Sequence, residues 1–125
     1  MAKEYGLLII SHVNEIATGL TKLIDQVAAD VTIKTAAGTE DGEIGTSFDK
    51  INAVLDKFEE DKILAFYDLG SAKMNLEMAM EFSDKEIKLY ETALIEGAYV
   101  AASLIQADVD LETIEAQLEP LVIKE

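Results

Sequence analysis

Residues Tyr5 to Ser11, "YGLLIIS", form an unbroken apolar run of strand length, followed at once by an apolar stripe of helical period. A run too short for a helix, with no polar alternation, is what a strand covered on both faces requires. Such burial is characteristic of a parallel sheet with a layer of helices on each side, so this strand is predicted to be central. The stripe after it, Val13, Ile16, Ala17, Leu20, Leu23, Ile24, Val27 and Ala28, repeats at three and four and predicts an amphipathic helix packed back on the sheet.

The alternation continues along the chain. "VTIKTAAG" at 31–38 reads as a second strand, and "GTEDGEIGTS" after it has the glycines and short polar residues of a loop. Phe48, Ile51, Leu55 and Phe58 give a second helical stripe with Thr46 or Ser47 as its N-cap. "KILAFYD" at 62–68 is a third strand, 70–82 a third helix opened by Gly70 and Ser71, and "EIKLY" at 86–90 a shorter fourth strand. The stretch 93–107 is apolar on nearly every side, which calls for cover on every side and, in a chain this short, suggests a subunit interface. Leu111, Ile114 and Leu118 mark a last helix capped by Asp110 and ended before Pro120; the tail 120–125 reads as an extra edge strand or a loose end.

Right-handed crossovers turn this order into an α/β, three-layer, doubly wound domain with a mostly parallel sheet and helices on both faces, for which 2-1-3-4 is a common strand order and the one expected here. The 125 residues are expected to form this one domain, 1–125.

Ligands of such sheets sit beyond the carboxyl ends of the strands where the strand order reverses, here between strands one and three. Ser11 and His12 leave one of these strands, and Asp68 to Ser71, "DLGS", leave the other. The only histidine of the chain and a carboxylate are thus predicted to meet. A carboxylate on one ring nitrogen fixes the tautomer and frees the other as base, ligand or nucleophile. Gly70 and Ser71 open a helix whose unpaired N–H groups favour an anion. Together these describe a histidine that carries a phosphoryl group, with the loop 38–46 at the same edge. Taken singly the signals are weak: a lone histidine is more often structural, and Asp68, Gly70 and Ser71 are ordinary turn and helix-start residues.

Composition removes competitors. With no cysteine and one histidine, a zinc site is improbable and no metal site is expected. There is no G-x-S-x-G elbow and no G-x-x-x-x-G-K-[ST] loop, and the glycines of "GTEDGEIG" do not spell G-x-G-x-x-G. The net charge of −15, ten basic residues against 25 acidic, repels phosphate backbones and anionic lipid, so neither nucleic acid nor membrane is expected as a partner. The absence of cysteine, of a signal-peptide pattern and of a membrane-spanning run fits a cytoplasmic protein.

The segments "LLIISHVNEIATGL", "AAGTEDGEIGTS", "FYDLGSAKMNLEMAME" and "ALIEGA" resemble the phosphotransferase subunits of phosphoenolpyruvate-dependent bacterial dihydroxyacetone kinases. The domain of those subunits is similar to enzyme IIA of the mannose family of the sugar phosphotransferase system. The resemblance implies a homodimeric phosphoryl carrier in which His12 takes the group from phospho-HPr and passes it to ADP held in the nucleotide-binding subunit of the kinase. It implies no permanent cofactor, only a transient phosphohistidine. Asp68 would support the phosphorylated ring, as an aspartate does in the related IIA domains. Position adds Ser11, Gly70 and Ser71 beside the phosphoryl site, and Gly45 and Thr46 are expected either to touch the phosphate or to shape their loop. Three alternatives share the fold: an enzyme IIA for sugar transport with the same His12 chemistry, a receiver-like signalling domain phosphorylated on Asp68, and a flavodoxin-like electron carrier. The second wants an acidic pair where this chain has Ser11 and His12, and a flavodoxin-like carrier wants a Ser/Thr-rich loop after strand one.

Overall fold

The computed structural model describes residues 3–124. Four strands, β1 (Tyr5–Ser11), β2 (Ile33–Ala37), β3 (Lys62–Tyr67) and β4 (Glu86–Tyr90), pair in parallel in the order β2-β1-β3-β4. Between and after them run α1 (Asn14–Asp25), α2 (Phe48–Leu55), α3 (Gly70–Phe82), α4 (Leu94–Gln106) and α5 (Leu111–Leu118). The expected α/β architecture and strand order are therefore those observed. No helix is long and apolar enough to cross a membrane among the described residues.

Side chains of a strand alternate between faces, so a run buried throughout feeds two cores. Leu7 and Ile9 of β1, with Leu64 and Phe66 of β3, pack under α1, α4 and α5. Leu8 and Ile10, with Ile63, Ala65 and Tyr67, pack under α2 and α3. Each fully buried Leu or Ile contributes about 1.5–3 kcal/mol of transfer free energy. That double burial pins β1 and fixes where its last residues emerge.

Boundaries moved at a few places. The stripe of α2 runs on to Phe58, but the helix ends at Leu55 and Phe58 is carried inward by a turn whose N–H bonds Leu55 O at 3.3 Å. Ser47, one of the two expected caps, accepts from Lys50 N at 3.2 Å. Asp110 caps α5 through Thr113 N at 2.9 Å.

The tail is neither a full edge strand nor a loose end. Glu119–Leu121 forms a 3-10 turn, Val122 makes a single antiparallel bridge to Thr92, and Ile123 N and Lys124 N both donate to Glu91 O at 3.1 Å. Lys124 Nζ then donates to Tyr67 O and to Thr92 O, closing the carboxyl ends of β3 and β4. The last residue of the expected tail, 125, lies outside the described residues.

The nearly all-round apolar surface of α4 is covered on one side only within this chain. Its inner side, Gly97, Ala98, Ala101, Ala102 and Ile105, is buried, while Ile95 and Tyr99 remain exposed. The small residues let the helix sit close: a Cβ on Gly97 would fall 1.9 Å from Thr92 Oγ1, 2.7 Å from Thr92 Cβ and 3.2 Å from the Phe66 ring. Alanine gains about 1 kcal/mol of helix propensity over glycine, but overpacking a filled core typically costs about 1–3 kcal/mol, and here the buried Thr92 has to move. Gly97→Ala is expected to lose up to about 2 kcal/mol net in urea unfolding, and Gly97→Val more.

Candidate functional site

The chain leaves β1 for α1 on one face of the sheet and reaches β3 by way of α2 on the other face. Between β1 and β3 the connections therefore part, and the residues that follow the two strands face each other across the gap. Strand pairing carries through to the site itself, because Asp68 N donates to Ile10 O at 3.2 Å. That bond holds the aspartate beside His12.

Asp68 is the hub. Its Oδ2 accepts from Ser11 Oγ at 2.8 Å and from His12 N at 2.9 Å; its Oδ1 accepts from Leu69 N at 2.7 Å and lies 2.8 Å from His12 Nδ1. The His12 and Asp68 side chains are each only 14 % exposed. Burial pushes the Asp68 carboxyl up, but the bonds from His12 N, the His12 ring, Ser11 and Leu69 N outweigh it and hold the group below its usual value. An ionised carboxylate only accepts, so Nδ1 carries the hydrogen and Nε2 keeps its lone pair. Nε2 faces the start of α3, where Ser71 Oγ lies 2.5 Å away and donates to it.

A lowered carboxyl has a fixed sign in the stability of the fold. The unfolded chain binds the Asp68 proton more readily, so stability rises with pH across the window between the folded and unfolded values. The contribution is complete at neutral pH and is lost as pH falls below the ordinary carboxylate value of about 4. Unfolding followed from pH 7 to pH 2 is expected to show Ser11→Ala less stable than the parent at neutral pH, with the gap narrowing in acid to the part that belongs to the Val13 N bond.

The other expected site residues fall into two groups. Gly70 and Ser71 stand at the first turn of α3, whose leading N–H groups have no intrahelical partner, beside Nε2. Ser11, by contrast, is fully buried; its hydroxyl donates to Asp68 and accepts from Val13 N at 3.2 Å, so it orients the aspartate. Gly45, at φ 144°, gives its N–H to His12 O at 2.8 Å, and Thr46 Oγ1 accepts from Asn75 Nδ2 at 2.7 Å. The loop 38–46 is thereby tied to both His12 and α3, and Gly38 N, donating to Ser11 O at 3.1 Å, begins it in register with β1.

Three participants were not anticipated. Asn75 lies one turn beyond Ser71 on α3 and holds the loop. Lys73 pairs with Glu91, which also accepts from Tyr67 Oη at 3.1 Å, so the start of α3 is fastened to the end of β4. Lys124 fastens Tyr67, the residue before Asp68. A faint signal existed for the first two, since residues 73 and 75 follow the site-bearing turn within one helical repeat.

Beside the polar cluster two apolar side chains stand in solvent: Ile44, next to Gly45, is 79 % exposed and Leu69, next to Asp68, is 61 % exposed. A nucleophilic nitrogen at the rim of the sheet, flanked by such residues, suits chemistry performed on groups that other proteins bring.

The family described as the fructose IIA component of the phosphotransferase system matches residues 6–115. A phosphoryl donor subunit, DhaM, of phosphoenolpyruvate-dependent dihydroxyacetone kinase 1 from Listeria innocua is 51 % identical over 124 residues, covering 99 % of this chain and 100 % of the relative. The DhaM phosphotransferase subunit from Lactococcus lactis is 47 % identical over 120 residues, covering 96 % and 98 %. The DhaM subunit from Escherichia coli is 28 % identical over 87 % of this chain, which spans only 25 % of that longer relative. A crystallised protein of unknown function superposes with a TM-score of 0.84 at 29 % identity, covering 97 % of both chains. A sigma-54 interaction domain protein from Enterococcus faecalis shares the fold at a TM-score of 0.70 and 14 % identity, covering 96 % of this chain and 91 % of its own.

Proposed function

Since this chain belongs to the fructose IIA component family of the phosphotransferase system, in the branch of the dihydroxyacetone kinase phosphoryl donor subunits, we propose that its phosphoryl group travels on Nε2 of His12. The chain is the phosphoryl carrier subunit of a dihydroxyacetone kinase. The single observation that carries the residue assignment is the bracket on Asp68, which commits Nδ1 to a carboxylate and leaves Nε2 as the free nucleophile in front of α3.

The donor is phospho-HPr. The Nε2 lone pair attacks the phosphorus in line, the bond from the donor nitrogen to phosphorus breaks, and that nitrogen keeps the electron pair. His12 becomes a phosphoimidazolium whose Nδ1–H remains on Asp68, so the positive charge forms against a carboxylate already in place. Ser71 Oγ moves from the nitrogen to a phosphoryl oxygen, joined by the leading N–H groups of α3 at Gly70 and Ser71. Ser11 keeps Asp68 oriented, and Gly45 and Thr46 hold the loop over the site rather than contact the group. The reverse attack, by the β-phosphate oxygen of ADP bound in the nucleotide-binding subunit of the kinase, regenerates ATP and returns His12 to its neutral state.

Both exchanges happen in the cytoplasm on the rim that carries Ile44 and Leu69, which one partner covers at a time. The protein works as a homodimer through the outer sides of α1 and α4, neighbours on one face of the sheet that expose Ile16, Leu23, Ile95 and Tyr99. The sugar-transport alternative is not favoured, because relatives 47–51 % identical over nearly the whole chain are dihydroxyacetone kinase subunits. The receiver alternative is not favoured either, since Asp68 is engaged by four donors.

The test is transfer in two steps. Phosphoenolpyruvate, enzyme I and HPr should place one acid-labile, alkali-stable phosphoryl group on His12, located by mass mapping. Addition of the kinase's nucleotide-binding subunit with ADP should then discharge it as ATP. Discharge to a sugar-specific IIB protein but not to ADP would establish the transport reading instead.

A further inference from the structure

The chain has ten lysines and no arginine. Four pair with carboxylates, Lys3 with Asp108, Lys62 with Glu4, Lys73 with Glu91 and Lys88 with Glu115. Three donate to main-chain carbonyls: Lys50 to Ala37, Lys85 to Phe58 and Glu60, Lys124 to Tyr67 and Thr92. The remaining three, Lys22, Lys34 and Lys57, have no such partner among the described residues, and all three line one cavity of about 400 Å³. Lys34 has only the face of Phe58, 5.9 Å from the ring centroid.

The cavity is a slot along the outer edge of β2. Its walls are α1 on one face of the sheet and the end of α2 on the other, and its floor is β2 itself. Leu7 N donates to Thr32 O and Gly38 N to Ser11 O, so the even-numbered residues of β2 bond β1. By the alternation of a parallel ladder, Ile33 and Thr35 turn their N–H groups to the open edge. Thr35 adds a hydroxyl, whereas Thr18 and Thr21 donate theirs to Asn14 O and Ala17 O of α1, and no carboxylate lines the slot. Every charged group there is a cation, in a chain of net charge −15.

A lone lysine on an edge strand serves to discourage strand pairing, and Lys34 by itself would need no other explanation. That does not require Lys22 from α1 and Lys57 from beyond α2 to line the same cavity from opposite faces of the sheet. Nor does it call for a cleft whose size is that of a small-molecule site. A long polyanion would meet the repulsion of the whole acidic surface, whereas a small one touches only the slot. A second copy of the chain paired edge to edge at β2 would set lysine against lysine.

We propose that this slot, bounded by Lys22, Lys34 and Lys57, is a second anion site, separate from His12, that takes a small phosphate-bearing molecule. The lysines and the Ile33 and Thr35 N–H groups hold the phosphate oxygens, and Ile33 and Val54 flank the remainder of the ligand. Titration of the 15N-labelled protein with pyrophosphate at fixed ionic strength tests it. Saturable shifts of the Ile33 and Thr35 amide signals are expected, at an affinity unchanged in His12→Ala and weakened at least ten-fold in a folded Lys22→Gln, Lys34→Gln, Lys57→Gln variant. Shifts that fail to saturate, that sodium chloride reproduces at matched ionic strength, or that centre on Gly70 and Ser71 would overturn it. Because His12→Ala cannot carry a phosphoryl group, binding by that variant separates this site from the carrier function.

Discussion

Asp68→Asn is expected to lower phosphoryl transfer onto His12 by up to roughly 10⁴-fold, the size of the loss when the carboxylate that fixes a catalytic histidine's tautomer becomes an amide. The carboxylate accepts from Ser11 Oγ, His12 N, His12 Nδ1 and Leu69 N, and donates to none. An asparagine has one oxygen and one NH2. With the NH2 on the Oδ1 side it faces Leu69 N–H, donor against donor, and Nδ1 must become an acceptor. The ring hydrogen then moves to Nε2 and occupies the lone pair that attacks. With the NH2 on the Oδ2 side it faces His12 N–H, again donor against donor. Either arrangement also forfeits the negative charge that meets the imidazolium. The loss should appear in the rate at saturating donor and little in the donor concentration needed to reach it, since Asp68 lies beneath the ring. A variant that transfers within three-fold of the parent would sink the tautomer argument.

How far this could be read from the sequence depended on whether a residue's role was set by its own element. "LLII" and the strand-length runs at 62–67 and 86–90 declare themselves, because burial on both faces of a strand leaves no polar position to confuse the period. The strand order is the common one for a doubly wound sheet of this kind, and with it comes the meeting of His12 and Asp68. Roles that depend on two distant segments were not legible. Ser11 reads as a phosphate contact because it precedes His12, yet residue 11 still belongs to β1, and its hydroxyl is consumed inside by Asp68. Gly45 and Thr46 read as a phosphate loop, and only the folded chain brings Asn75 to Thr46 and His12 O to Gly45. The tail was ambiguous because "PLVIKE" carries strand composition, while what orders it is a lysine on the carbonyls of Tyr67 and Thr92, with no pattern in the sequence to announce it.

His12→Ala is expected to abolish phosphoryl uptake while leaving the fold nearly intact, and the pairing of these two results is the informative part. The substitution removes the chain's only imidazole, and loss of a nucleophile costs on the order of 10⁶ in rate where covalent catalysis has been dissected. Asp68 loses one of four donors, but the His12 backbone N–H, Ser11 Oγ and Leu69 N stay, and a half-empty Oδ1 at the rim can take water. Gly45 N bonds the carbonyl of residue 12, which alanine keeps, so the loop remains attached. Uptake from phospho-HPr should fall below detection, with the unfolding free energy from urea titration changed by no more than about 1 kcal/mol. The chemistry of any residual label then decides between nucleophiles on the same rim. An aspartyl phosphate is cleaved by hydroxylamine and a phosphohistidine is not, so hydroxylamine-sensitive label on Asp68 would make His12 the supporting residue and Asp68 the carrier. The geometry argues for the opposite order, because both oxygens of Asp68 are already committed to hydrogen bonds whereas Nε2 keeps its lone pair and meets only a hydroxyl that can turn away.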